Sequence, residues 1–253
     1  MLPRTRILFL AVLIVLPLSA HAGWARPASD SAHYRTCLAA ASGSNPAFAL
    51  GDAETWSKAG GGIPARHCAA LALVGLKRYA EAGARLDKIA ADRAVPDVGF
   101  RAELFDQAGN AWLLAGDGAH AVQSFSAALA LSADDADLFA DLARAQAMRK
   151  NWHEVDLDLN AALRIQPRRA DLLVLRASAR RALARYGDAR NDIAAALKLK
   201  PDDPGALVES GMLRRQVGDI GGARRDFEAA LKAAPGSDAA RDAKDNLDAL
   251  GPG

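Results

Sequence analysis

Residues Ala102–Ser237 repeat with a period of 34 residues, and that period limits what the chain can become. Four segments align when begun at Ala102, Ala136, Ala170 and Pro204. Position 4 is bulky and apolar in each: Phe105, Phe139, Leu173 and Leu207. Position 24 is too, as Phe125, Leu159, Ile193 and Phe227. Position 20 is small or β-branched: Ala121, Val155, Ala189 and Ala223. Position 27 is alanine every time (Ala128, Ala162, Ala196, Ala230), followed by leucine (Leu129, Leu163, Leu197, Leu231). Three segments then reach proline at position 32, as Pro167, Pro201 and Pro235. A fixed period of this length marks a stack of supersecondary units, none able to bury its apolar face alone.

Each segment holds two amphipathic patterns at helical spacing. Phe105, Ala108, Gly109 and Trp112 share one helix face. Gly116-Asp117 follows: glycine ends a helix cheaply in the left-handed conformation, and aspartate starts the next. Ala121, Phe125, Ala128 and Leu129 form the second face. Small residues at positions 8, 20 and 27 let helix backbones approach, and proline at 32 stops the unit.

This pattern resembles the tetratricopeptide repeat (TPR): 34 residues, helix–turn–helix, small residues at 8, 20 and 27, and proline at 32. The resemblance implies an all-α fold, a right-handed superhelical solenoid of helical hairpins closed by a C-terminal capping helix. There are departures. Position 11 keeps its aromatic only as Trp112; Gln146, Arg180 and Arg214 stand there otherwise. Position 7 is Arg176 in the third unit and Ser210 in the fourth, and position 32 of the first is Ala133.

Outside the four repeats (residues 100–237) the chain reads as follows. Residues 1–22 have the layout of an export signal: Arg4 and Arg6, the apolar run Ile7–Leu18, and a small-x-small site cut after Ala22. The run has 12 residues, short of the roughly 20 that span a membrane. Its removal takes Lys and Arg from 32 to 30, against 30 Asp and Glu. A near-neutral mature chain gives no reason to expect a nucleic-acid partner. Residues 23–30 read as a polar linker and 31–99 as degenerate helical repeats. In the latter, with Ile63 as position 1, Ala70, Tyr79, Ala82, Leu86 and Ile89 fall at 8, 17, 20, 24 and 27. Asn45 is expected to cap a helix with Pro46 in its first turn. Asp238–Leu250 reads as the capping helix over the exposed end of the stack.

Cys37 and Cys68 stand on neighbouring helical pairs, and export implies an oxidising compartment, so a disulfide between them is the plain reading. Two alternatives stay open: free buried thiols, or a metal or small-ligand module using His33, Cys37, His67 and Cys68. Against the metal, His67 and Cys68 are adjacent on a helix and point about 100° apart.

No residue set assembles chemistry. There is no glycine-rich phosphate loop between strand and helix, no Gly-x-Ser-x-Gly and no His-Glu-x-x-His, so neither catalysis nor a cofactor is expected. The resemblance places a partner against the first helix of each hairpin. Carried over by position, that gives Asp106, Asn110 and Leu113 in the first unit, and Asp137, Asp141 and Arg144 in the second. It gives Asp171, Val174, Ser178 and Arg181 in the third, and Met212 and Arg215 in the fourth. Such a groove would hold an extended peptide or a partner helix. Acids at helix starts and bases at helix ends also serve the helix dipole with no partner at all. The expectation is a non-catalytic, periplasmic interaction scaffold, not membrane-spanning once cleaved. Its oligomeric state, including self-association through the groove, is left open.

Overall fold

Helix boundaries fall where the side chains supply the chemistry. The structure, a computed structural model, describes residues 28–95 and 97–251. The signal segment 1–22 and most of the linker lie outside the described residues. Among those residues there are thirteen α-helices and no strand, an all-α helical repeat fold. They divide into two compact units, one ending at Asn151 and one beginning at Trp152.

The first unit contains α1 (Ala28–Ser42), α2 (Pro46–Lys58), α3 (Gly62–Gly75), α4 (Tyr79–Ala90), α5 (Val98–Leu114), α6 (Gly118–Leu131) and α7 (Ala136–Met148). α1 begins three residues ahead of the expected Ser31. Asn45 caps α2 through the Phe48 amide, and Pro46 occupies its first turn. Asp117 accepts from the Ala119 and His120 amides and starts α6. One continuous core runs from Leu73 and Leu86 through Leu104 and Trp112 to Phe125 and Leu138. A smaller, alanine-rich core joins α1, α2 and α3 around Cys37 and Cys68.

The second unit contains α8 (Trp152–Ile165), α9 (Ala170–Ala182), α10 (Tyr186–Leu199), α11 (Pro204–Gln216), α12 (Ile220–Ala233) and α13 (Asp238–Leu250). Its helices pack in sequence, α8 on α9, α9 on α10, α10 on α11 and α11 on α12. α9 also meets α11, so first helices of successive hairpins lie together. Ala162, Ala196 and Ala230 are each 0 % exposed. α13 buries Ala239, Ala240 and Ala243 and rests Leu247 and Leu250 on the Val208–Phe227 core, covering that end.

Two features explain the repeat physically. At position 15 the backbone is left-handed whatever the residue: Gly116 (φ +78), Lys150 (+60), Ala184 (+59) and Gly218 (+83). Lys77 at φ +59 holds the same place counted from Ile63, which puts the α3–α4 hairpin in the common register. Positions 8 and 24 trade volume. Gly109 faces Phe125 and Gly211 faces Phe227, and a Cβ on either glycine would lie 2.6 or 2.5 Å from the ring. The third hairpin instead combines Ala177 with Ile193 in one core.

Gly211→Ala is therefore expected to destabilise by about 1–3 kcal/mol through overpacking, read as a lower urea midpoint. Helix propensity alone favours alanine by up to about 1 kcal/mol, so a net loss isolates the clash. Adding Phe227→Leu is expected to recover part of that loss.

Candidate partner-binding site

In the first unit α5 carries Asp106, Asn110 and Leu113 at i, i+4 and i+7, and α7, packed against it, carries Asp137, Asp141 and Arg144 at the same spacing. Each set occupies one helix face. Asn110 donates to Asp106 Oδ1 at 3.0 Å and to the Asp106 carbonyl at 3.1 Å, fixing that carboxylate. Arg144 pairs with Asp141 one turn away. Leu113 is half-buried against the unit's core.

Carboxylates dominate this face. Burial pushes Asp106 up to about 7, and the charges of Asp141, Asp135, Glu103 and Asp137 add to it. Burial also raises Asp141, against the pull of Arg144. Asp135 belongs to this field although the repeat pattern did not mark it. Its Oδ1 caps α7, accepting from Asp137 and Leu138 at 2.9 and 3.2 Å. The signal for it was its place, one residue before the second repeat begins.

A carboxyl raised in the folded state stabilises it at low pH and loses that contribution as pH climbs from the unfolded value through about 7. Asp106→Asn should thus raise the melting temperature most above pH 7, with the gain shrinking towards pH 4. Thermal melts across that range check the sign. Asp158 on α8 is pushed up to about 7 as well, by burial and by Glu154, and its Oδ2 has no hydrogen-bond partner among the described residues.

In the second unit Asp171, Val174, Ser178 and Arg181 lie on α9, and Met212 and Arg215 on α11. Several of these side chains already have internal work. Arg169 forks onto both Asp171 oxygens at 2.9 and 2.8 Å. Arg181 forks onto Glu209 at 2.7 and 3.1 Å, and Glu209 is 2 % exposed. Val174 packs beside Ala177 and Leu213, and Met212 packs against Val208 and Phe227. Ser178 is half-buried. Arg215 has no carboxylate within ion-pair distance among the described residues, so this face keeps an uncompensated cation. The first unit's face is acidic, whereas the second unit's keeps an uncompensated cation, Arg215.

The residues named for a metal are not gathered into a ligand set. Cys37 and Cys68 face each other at disulfide distance, with Cα atoms 6.1 Å apart. His33 bonds Asp52 at 2.7 Å and stacks on Trp56. His67 is buried, bonded through Nε2 to Gln107 Oε1 at 2.7 Å and through Nδ1 to the Tyr34 hydroxyl. No group of three or more His, Cys, Asp or Glu among the described residues could hold a metal ion. No helix among them is long and apolar enough to cross a membrane.

No protein-family model matches the sequence, and no curated protein does. Solved structures do. The chain is similar to residues 41–end of MamA from Desulfovibrio magneticus RS-1, with 18 % identity over 68 % of this chain and 94 % of that one, at a TM-score of 0.59. It is similar to a thermophilic TPR protein of Thermus thermophilus, with 18 % identity over 74 % and 98 % of the two chains, at 0.56. It is also similar to YrrB, described as a TPR protein with an unusual peptide-binding site, with 17 % identity over 76 % and 96 %, at 0.56. The fold is that of TPR proteins.

Proposed function

We propose that this chain is a non-catalytic protein–protein interaction scaffold of the TPR family. It binds a peptide or partner helix in a groove lined by first helices of its hairpins, α5 and α7 in the first unit. The observation that carries this is the α5–α7 face, where Asp106, beside Asn110 and Leu113, is buried within the field of Asp135, Asp137 and the Arg144-paired Asp141. Crowded, partly desolvated carboxylates repel one another, and a cationic side chain seated among them relieves that repulsion. The partner segment on this unit is therefore basic, with an apolar residue against Leu113. Likeness in fold to YrrB, whose description names peptide binding, supports the same reading. The partner is a protein, not a nucleic acid, and the chain needs no cofactor.

The proposal extends to location and layout. Residues 1–22 direct export to the periplasm and are cut after Ala22, so the mature chain begins at Gly23. A linker at 23–30, repeats at 31–99 and 100–237, and a cap at 238–250 then follow in that chain. Mass spectrometry of the exported protein tests the cut; an N-terminus at Met1 contradicts it.

Fluorescence anisotropy tests the groove with two labelled peptides of matched apolar content, one lysine-rich and one glutamate-rich. The lysine-rich peptide should bind preferentially, and its affinity should fall as pH drops below about 7, where Asp106 takes up a proton. Asp106→Asn with Asp141→Asn should remove most of the preference. Equal binding of the two peptides, or a preference untouched by the double variant, contradicts the basic-partner reading.

A further inference from the structure

Away from the α5–α7 face, α2, α3 and α4 enclose an open cleft of about 490 Å3. Four cations line it, Lys58, Arg66, Arg85 and Lys88, with one carboxylate, Glu54, among them. Ser57 and the nearly buried Ala69 and Ile89 complete the lining, the last two at 3 % and 2 % exposure. Both guanidiniums are anchored by carboxylates. Arg66 gives one nitrogen to Asp92 at 2.7 Å, and Arg85 bonds Glu81 at 2.8 Å and Glu54 at 3.3 Å. Arg66 Nε and Nη1 keep free donor capacity. Lys58 and Lys88 have no carboxylate within ion-pair distance among the described residues. Each lysine complements the C-terminal end of its own helix, which accounts for one charge per helix. It does not account for their meeting two anchored guanidiniums around one cleft.

We infer that this cleft binds a small phosphate monoester, its phosphate between Lys58, Lys88 and Arg66 and its apolar body on Ala69 and Ile89. A phosphate carries close to two charges and offers three acceptor oxygens in a tetrahedral array. That matches donors arriving from three helices better than a planar carboxylate does. The volume lies within the range of small-ligand sites. The occupant is independent of the peptide proposed above, because none of the cleft's residues lies on α5 or α7.

The test is amide NMR of the purified protein titrated with phenyl phosphate, inorganic phosphate and phenol. Phenyl phosphate should shift Ser57, Lys58, Arg85 and Lys88 saturably, more tightly than inorganic phosphate, with phenol weakest. K58A/K88A should weaken binding roughly tenfold or more, the scale of a lost charge-assisted hydrogen bond. K58R/K88R, which keeps both charges, should retain it, as should K77A/K198A, which removes two charges elsewhere. Both target lysines are exposed, and an otherwise unchanged spectrum of K58A/K88A verifies its fold. Vesicles containing phosphatidic acid separate the sources. Binding of phenyl phosphate assigns a soluble ester. Binding of the vesicles alone, lost in K58A/K88A, assigns a lipid headgroup of the same chemistry. No saturable shift with either probe, shifts indifferent to K58A/K88A, or phenol binding as well as phenyl phosphate each overturns the inference.

Discussion

Arg180→Ala is expected to destabilise the second unit by about 3–5 kcal/mol, the usual cost of removing one partner from a buried ionic group. Arg180 bonds Asp156 Oδ1 and Asp192 Oδ2, each at 2.8 Å. Arg176 closes on both oxygens of Asp192 at 3.0 and 2.6 Å and on Asn160 at 2.7 Å. Arg185 reaches the other oxygen of Asp156 at 2.6 Å. The two carboxylates are 7 % and 6 % exposed, so truncating Arg180 leaves charge buried with fewer donors. Burial alone would raise Asp156, but hydrogen bonds from Arg180 and Arg185 outweigh it and hold the carboxyl below its usual range. A depressed folded value stabilises above the unfolded value and is lost as pH falls through the folded one. The gap between wild type and Arg180→Ala, measured by urea unfolding at neutral pH, should therefore narrow in acid below about pH 4. High salt should change it little, because buried pairs are weakly screened. Replacing the whole network with apolar residues of similar volume is expected to be far milder than the single truncation.

Reducing the Cys37–Cys68 pair, or replacing both with serine, is expected to cost the first unit roughly 3–4 kcal/mol, from the chain entropy released by opening a 31-position loop. The core it crosses is mostly alanine: Ala41, Ala49, Ala53, Ala69 and Ala72. Alanine buries little apolar area per residue, so the α1–α3 region has small hydrophobic reserves. Both cysteines are buried, at 2 % and 0 % exposure, so serine there also buries hydroxyls. Cys37→Ala with Cys68→Ala separates that effect from loss of the cross-link. Urea unfolding followed at Trp56, with and without reductant, reads the change. Two free thiols titrating in the denatured, exported protein would remove the basis of this prediction.

The repeat was legible because its constraints recur. Alanine at position 27 and bulk at position 24 meet the same steric demand in each hairpin, so they stand out against an alanine-rich background. The left-handed turn was legible at Gly116 and Gly218 and hidden at Lys77, Lys150 and Ala184. Those side chains accept a strained backbone because the hairpin on each side fixes it. Arg176 and Arg180 read as departures at apolar positions. Their compensation comes from Asp156, Asn160 and Asp192, 12 to 24 residues away, and no single-position pattern contains such a pairing. Arg181 reads as a ligand contact by position, yet its fork is closed on Glu209. The basic cleft was not legible at all: its cations come from three helices at spacings with no period.

Photo-crosslinking in the intact cell shows whether a partner lies against the first helices. A photoreactive residue is placed at Asn110 on α5 or Ser178 on α9, with Ser126 on α6 and Lys198 on α10, both on second helices, as references. A discrete protein adduct is expected from Asn110 or Ser178, with a crosslinked peptide, read by mass spectrometry, that is basic where it meets Asn110. The same adducts from Ser126 and Lys198, at equal yield, would contradict that placement.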